Sequence, residues 1–304
     1  MVSSQLGLDR LHSLASSKHH HRCKPLTTTD VATIISANRG ASSGSGISLR
    51  SADLSRQWLA SFNLDNADMS HSIIEQCNLT HASLNRSDIS HCQASDAVMD
   101  DASMHHIRAS GSVLRGASMI GADMSDATIE ACDMRNVSAS GIKLCRATLS
   151  NVDMSQADID GSDMSDARLQ SSTIMPSSIA GATMDRMHID TTTSMAGRRI
   201  MSSSMADVKA ADVDMRNTVI EHTDMQGIDM QRADMRGADM SHPGNDMQRA
   251  DMRQAKIDGS SRLARNLEAC NLSHTDLTGV DLSQSTLAQA NLSHAIITQH
   301  TKLP

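Results

Sequence analysis

Aromatic side chains are almost missing from this chain of 304 residues, which holds one tryptophan, one phenylalanine and no tyrosine. Stacking of a ligand on an aromatic ring therefore has two candidate positions at most, Trp58 and Phe62. No apolar run approaches the ~20 residues that span a membrane as a helix, and the first residues, Met1 to Ser17, lack the positive and apolar blocks of a secretory signal. Six cysteines make no disulfide framework. Four of them, Cys77, Cys92, Cys132 and Cys270, share one slot of a repeat with Ala, Ser, Thr and Val, so they read as core filler. Cys145 and Cys23 have no spacing to a catalytic partner. No nucleophile with a base and an orienting group, and no phosphate-cradling loop, is present. The sequence thus offers no catalytic residue, no cofactor site and no metal site.

What the chain does have is a beat of five. From Leu49 to Ile297 an aliphatic residue recurs at every fifth position with a small residue two places before it, as in "GADMSDATIEACDM" from Gly121 to Met134. Repeats of this kind take precedence over other patterns. Calling the aliphatic residue the centre, the chain holds three registers, Leu49–Ile189, Met195–Met240 and Met247–Ile297. All their centres are Leu, Ile or Met except Ala94, Ala109, Ala139, Ala210 and Arg262. A helix with 3.6 residues per turn forms no apolar face from a period of five, and a plain strand requires a period of two. A coil with flat sides and sharp corners, one pentapeptide per side, buries every fifth residue.

Glycine indicates the number of sides. Most glycines lie two residues after a centre, where a turn favours positive φ. Gly121, Gly141, Gly161 and Gly181 are spaced by twenty, so they stack at one corner if each coil has four sides. The runs "SADLS" from Ser51, "NADMS" from Asn66, "RADMRGADMS" from Arg232 and "QANLS" from Gln289 resemble the pentapeptide-repeat family, whose fold is an all-β, right-handed quadrilateral β-helix. The resemblance covers residues 49–304. Methionine stands at many centres and phenylalanine at none, a departure from the aromatic interior common in that family. These methionines read as gap-filling core.

Such a fold implies a repeat solenoid of about 12 coils, ~60 Å long at ~4.8 Å per layer, in which each coil touches only its neighbours. Its ends need capping, and Trp58 and Phe62, falling in the first coils, read as part of an N-terminal cap. Residues 1–48 form a separate leader rich in Ser, Thr, His and Gly, with Arg10, Lys18, Arg22, Lys24 and Arg39 against Asp9 and Asp30. A helix is expected near Asp30–Asn38, with Thr29 or Asp30 as N-cap and Gly40 as stop. The leader reads either as a disordered segment with a capping helix or as a targeting or secretion segment, since polar leaders precede pentapeptide repeats in effectors exported by bacteria. The cluster His19, His20, His21 and Cys23 reads as a flexible polar tract ahead of a metal site.

Charge is uneven. The chain carries a net −8, and residues 151–241 hold eight basic against fifteen acidic residues. Asp153, Asp158, Asp160, Asp163 and Asp166 crowd one stretch. The resemblance implies a route to function here, because some members present acidic rows that imitate a DNA backbone and bind type II topoisomerases such as gyrase. That would direct the chain to a basic partner and away from nucleic acid. Against it, aspartate before the centre belongs to the repeat and bonds turn backbone. The C-terminal dimerising helix shared by those members is also lacking.

Three breaks in the beat are candidate surface features. The first, residues 190–201, adds one residue and sets Arg198 beside Arg199. The second, 241–246, adds two residues around His242, Pro243 and Gly244. The third, 259–266, puts Arg262 at a nominal centre. Burying an unpaired arginine is costly, so a bulge that turns Leu263 inward is expected. Histidines pair at twenty-residue spacing, His71 with His91 and His274 with His294, which stacks them without the carboxylate or thiol that a metal would need. The reading is a non-enzymatic, protein-binding scaffold, cytoplasmic or exported as an effector, with Arg198, Arg199, His242, Pro243, Asp158, Asp160, Asp163 and Asp166 as its candidate interaction surface. The alternative is a DNA-mimicking topoisomerase binder.

Overall fold

The computed structural model describes residues 25–38, 46–172 and 178–304. They fall into two compact units, Met1–Ala147 and Thr148–Pro304. The chain follows a right-handed quadrilateral β-helix. In the first unit Asp53 pairs with Ile73, Trp58 with Asn78, Asn63 with Ser83 and Asp68 with Asp88, all parallel and twenty residues apart. One turn of the coil is therefore four pentapeptides. Three-residue pairing gives the strands β1 (Arg108–Ser110) and β2 (Thr128–Glu130), in the register Arg108 to Thr128. The second unit holds β3 (Thr148–Ser150), β4 (Arg168–Gln170), β5 (Ser178–Ala180), β6 (His188–Ile189), β7 (Arg199–Met201) and β8 (Val219–Glu221). There β3 pairs with β4 and β4 with β6, while β5 pairs with β7 and β7 with β8.

Hydrogen bonding explains why five residues make a side. The N–H of a centre donates to the coil that follows, as Leu54 does to the Ile73 carbonyl at 2.7 Å, and the Ile73 N–H returns a bond to the Ala52 carbonyl at 2.9 Å. The centre's own carbonyl accepts the N–H three residues on, as Leu49 does from Ala52 at 3.1 Å. Its turn has positive φ at the third residue, Ser51 (φ 56), the pattern of a type II turn. The centre carbonyl is thus used in making the corner, and the wall carbonyls bond between coils.

Glycine turns out to mark this corner without being required by it. Gly121 (φ 67) and Gly141 (φ 69) adopt it, but so do His71 (φ 61), Arg86 (φ 57) and Asp96 (φ 56). A left-handed conformation costs a non-glycine residue about 1–2 kcal/mol, and the turn bond plus an intercoil bond from the corner N–H, such as His71 to the Ser90 carbonyl at 2.8 Å, offset it.

Inside, centres such as Leu49, Met104, Leu114, Met205 and Met230 are fully buried, and burial fades in the last coil, where Leu287 and Leu292 are half-buried and Ile297 is exposed. The small slot two residues before each centre also faces in. At several polar positions it donates to the carbonyl of the centre 23 residues earlier: Ser112 to Ile89 at 2.6 Å, Cys132 to Ala109 at 2.7 Å, Thr218 to Met195 at 2.9 Å and Thr275 to Met252 at 3.0 Å. Ser87 and Ser203 donate instead to the Leu84 and Met201 carbonyls nearby, and the Ser162 hydroxyl is buried without a partner among the described residues. Ser, Thr and Cys interchange with Ala in this slot by size, and at the four positions above a carbonyl takes their proton.

The breaks are absorbed at corners. Pairing shifts from twenty to twenty-one at Ser178 with Arg199 and to twenty-two at Asp224 with Asp246, then returns to twenty at Asp246 with Asn266. At the third break Leu263 is 5% exposed and the Arg262 side chain 71%, the bulge that the cost of burying arginine requires.

Helix α1 (Thr28–Asn38) begins earlier than the sequence indicates. Its cap is Thr27, whose Oγ1 accepts the Asp30 N–H at 3.2 Å while the Asp30 carboxylate accepts the Thr27 N–H at 2.8 Å. This reciprocal capping box outcompetes Thr29 and assigns Asp30 to the first turn. The segment joins the coil through Leu26 N–H to the Asp53 carbonyl at 2.9 Å and Thr28 N–H to Gln57 Oε1 at 2.8 Å. Leu26, Val31 and Ile34 are its buried side chains. Trp58 meets this segment through its backbone, its N–H donating to Thr28 Oγ1 at 3.3 Å, while its side chain is 66% exposed because the residue before a centre faces out. Gly40 and the His19–Cys23 cluster lie outside the described residues.

Candidate docking surfaces

With the interior filled, chemistry is left to the walls and corners. Two ion-pair devices recur there. In Asp-Met-Arg the residues flanking a centre clamp each other across the wall: Arg135 holds Asp133 through Nε at 2.8 Å and a terminal nitrogen at 2.6 Å, and Arg216 with Asp214 and Arg236 with Asp234 repeat the fork. At corners the fork spans coils, joining Arg146 to Asp126, Arg186 to Asp166 and Arg232 to Asp212. The Arg216 guanidinium brings the Asp214 carboxyl down to about 2. Asp126, Asp133, Asp212 and Asp234 are lowered chiefly by their own arginine hydrogen bonds.

The acidic stretch 153–166 does not gather on one face. Asp153, Asp158 and Asp163 precede centres on three successive sides. Ser155 N–H donates to Asp153 at 2.9 Å, Asp160 N–H to Asp158 at 3.1 Å and Ser165 N–H to Asp163 at 3.0 Å. Asp160 accepts the Ala180 N–H at 2.8 Å, and Asp166 holds Arg186.

An acidic wall forms instead from residues far apart in sequence. One side of the second unit runs through the pairings Asp163–Thr183–Ser204–Asp224–Asp246–Asn266. Asp185 and Glu268 flank it, and no lysine or arginine stands at its outward positions. Arg186 stands close enough to Asp185 to feel its charge, and Arg249 reaches the wall at Gln226 Oε1 at 3.2 Å, while the central carboxylates Asp224, Asp246 and Glu268 meet neutral donors. Gln226 Nε2 (3.1 Å) and Asn266 Nδ2 (2.9 Å) reach Asp246, Gln248 Nε2 reaches Glu268 at 3.0 Å, and the Ala206 N–H reaches Asp185 at 3.2 Å. At Asp224, Asp246 and Glu268 the hydrogen bonding is satisfied without a salt bridge among the described residues. By contrast, the opposite wall carries the Asp214–Arg216 and Asp234–Arg236 clamps. The signal was spacing by twenty with the two-residue insertion counted in.

Arg198 and Arg199 are adjacent in sequence and diverge in space. Arg199 stands on the outer ladder and pairs with Glu221 at 3.0 Å. Arg198 takes the small inward slot, half-buried, with its Nε buried and without a hydrogen-bond partner. His242 and Pro243 do share a corner. The His242 ring lies 3.8 Å from that of His222, and its Nδ1 accepts the Gly244 N–H at 3.0 Å. Behind them Asn245 is buried and anchors the loop, donating to the Ile220 and Met240 carbonyls at 2.7 and 2.8 Å and accepting the Thr223 N–H at 2.9 Å.

The expected histidine stacks are present, His71 with His91 at 4.8 Å and His274 with His294 at 4.7 Å, both at 18°. Among the described residues no group of three His, Cys, Asp or Glu side chains converges as a metal site would require. Burial raises the Cys77 and Cys270 thiols to about 12 and Cys92 to about 11, far from a nucleophile's range. No helix among the described residues is long and apolar enough to cross a membrane.

A stacked four-sided coil with a five-residue beat defines a class of repeat solenoid. The model of the pentapeptide repeats matches in eight copies, over residues 45–86, 63–101, 97–136, 130–166, 140–173, 210–242 and 266–299. The chain belongs to the pentapeptide-repeat family. Among solved structures it is similar to HetL, a pentapeptide repeat protein involved in heterocyst differentiation regulation in the cyanobacterium Nostoc sp. strain PCC 7120. That match has 20% identity over 91% of this chain and 99% of that one, with a TM-score of 0.32. It is also similar to QnrB1, a plasmid-mediated fluoroquinolone resistance protein, with 12% identity over 68% and 89% of the two chains and a TM-score of 0.31. Rfr23 from the cyanobacterium Cyanothece 51142 matches at 16% identity over 44% and 68%, with a TM-score of 0.13. No curated protein sequence matches the chain. Family membership rests on the repeat matches, and these superpositions add no argument about function.

Proposed function

We propose that this chain is a non-enzymatic scaffold that docks a basic protein partner on its acidic wall. The observation that carries the reading is the stretch of wall with Asp224, Asp246 and Glu268, whose carboxylates accept from the Gln226 N–H at 3.0 Å, the Gln226 and Asn266 amides and the Gln248 amide. Spread over two pairing steps, roughly 10 Å at ~4.8 Å each, the charges sit close to a Debye length of about 8 Å at physiological salt. They act as one field that speeds encounter with a positive surface. Inert thiols and a filled core support the non-enzymatic part.

The test uses the full chain as bait in cell extract at low and high salt. Capture of a basic partner that is lost at high salt, and lost with the combined Asp224→Asn, Asp246→Asn and Glu268→Gln variant, is the expected result. Capture that survives both changes would sink the reading. The same wall favours a second reading, a DNA mimic that binds a type II topoisomerase. Inhibition of gyrase supercoiling by the chain, abolished in the triple variant, is its signature. In the effector version of the proposal the leader, residues 1–48, carries a delivery signal, and a reporter fused to it would have to be exported.

A further inference from the structure

The third break builds a recess on the second unit. Three successive coils turn the same corner with different lengths of chain: seven residues separate the inward Met240 and Met247, four separate Leu263 and Leu267, and five separate Leu282 and Leu287. A short corner under a long one leaves a hollow. The structure has one there, a cavity of about 480 Å³ lined by Ser241, Arg262, Leu263, Arg265, Gln284 and Lys302, among others.

Its chemistry is one-sided. Arg262, Arg265 and Lys302 line it against a single carboxylate, Asp281, which Lys302 already holds at 2.7 Å. Arg262 reaches Asp239 only at 3.9 Å, and Arg265 makes no ion pair among the described residues. The bulge that spares the core an arginine is thus what delivers Arg262 to the rim. Serines 261, 283 and 285 and the Gln284 amide supply hydroxyl and amide groups on the remaining lining. Aromatic rings are absent from it, so nothing there stacks a nucleobase.

We propose that this recess binds a small phosphate-bearing polyol, with the guanidinium groups of Arg265 and Arg262 on the phosphate and the serine and glutamine side chains on its hydroxyls. Planar guanidinium forks match an oxyanion in shape as well as charge, and the volume is that of a small-molecule site. The site is separate from the acidic wall and independent of the docking reading.

The test is calorimetric titration of the full chain with inorganic phosphate, glycerol 3-phosphate and glycerol. Saturable binding of both phosphates is expected, tighter for glycerol 3-phosphate, with none for glycerol. Arg265→Gln should weaken binding roughly tenfold or more, as losing a charge-assisted hydrogen bond does, and Arg262→Gln should weaken it in the same direction. Arg168→Gln, an exposed arginine elsewhere on the unit, should leave it unchanged, with far-UV circular dichroism confirming that each variant is folded. Absence of saturation, binding indifferent to Arg265→Gln, or equal loss from Arg168→Gln would overturn the site. Equal affinity for phosphate and glycerol 3-phosphate would overturn the polyol.

Discussion

Replacing Asn245 with alanine tests whether a loop insertion is held by one buried amide. Asn245 is 3% exposed and occupies the inward slot of a corner two residues longer than its neighbours. Alanine fits that slot by size, since it is the commonest residue there. The cost is therefore polar: two bonds from Nδ2 and one to Oδ1, at ~1 kcal/mol each, plus a Thr223 N–H left in a buried site without an acceptor, at ~1–3 kcal/mol. Asn245→Ala should destabilise the second unit by about 4–6 kcal/mol. Asn245→Asp, although isosteric, should be worse, because it turns a carboxylate oxygen toward two carbonyls. Amide exchange localises the effect: protection should fall at Thr223 and Asp246, while the Asn271–Asn291 ladder keeps its own, since coils in a solenoid couple to neighbours. Urea unfolding followed by circular dichroism supplies the magnitude. A loss below ~0.5 kcal/mol with Thr223 still protected, or an aspartate milder than alanine, would refute the reasoning.

Truncating a central methionine, Met230→Ala, should cost about 2–5 kcal/mol through lost burial and a cavity, whereas Met230→Leu should stay under ~1.5 kcal/mol; urea midpoints check both. The thiols of Cys77, Cys92, Cys132 and Cys270 should resist a thiol reagent until the chain unfolds, so labelling of all four in the native protein would contradict their burial. Asp214, held at about 2 by Arg216, contributes stability that is full above the ordinary carboxylate value and lost as pH falls from about 4 through about 2. Arg216→Gln should accordingly flatten the acid-unfolding curve in that window, and an unchanged curve would remove the clamp from the account.

The interior was legible in the sequence because each position has one job. A period of five dictated the corner, glycines spaced by twenty gave the number of sides, and the cost of a buried arginine turned Leu263 inward at the third break. The surface was less legible, since it depends on alignment across coils. Asp224 and Asp246 stand together only after the 241–246 insertion is subtracted, and the 153–166 aspartates, crowded in sequence, are carried around the coil. Arg198 looked like surface because arginine is charged, yet register gives it an inward slot. Trp58, in the first coils, meets the N-terminal segment through its backbone, while register turns its ring outward. At α1 the competing caps differ by a reciprocal bond, which composition does not encode.

Insertions of one and two residues leave pairing on the walls parallel and in register because the corner takes up the excess. A wall residue is bonded on both edges, as Asp224 is between Ser204 and Asp246, so chain length there is fixed by its neighbours. Corners have no such partner along the extra residues, and a small inward group suffices to close them, whether the Asn245 amide or the Thr193 hydroxyl that donates to Asp190 at 2.9 Å. The consequence is a division of labour on the surface. Walls vary by side-chain identity at fixed spacing, which suits an extended charge pattern such as the acidic ladder. Corners vary by length, which makes concavities such as the recess at Arg262 and Arg265. A two-residue deletion of Pro243 and Gly244 should therefore alter that recess while preserving the acidic wall. Phosphate binding and salt-sensitive partner capture measured on the same deletion would separate the two surfaces, and joint loss in a folded variant would show that corner and wall are not independent.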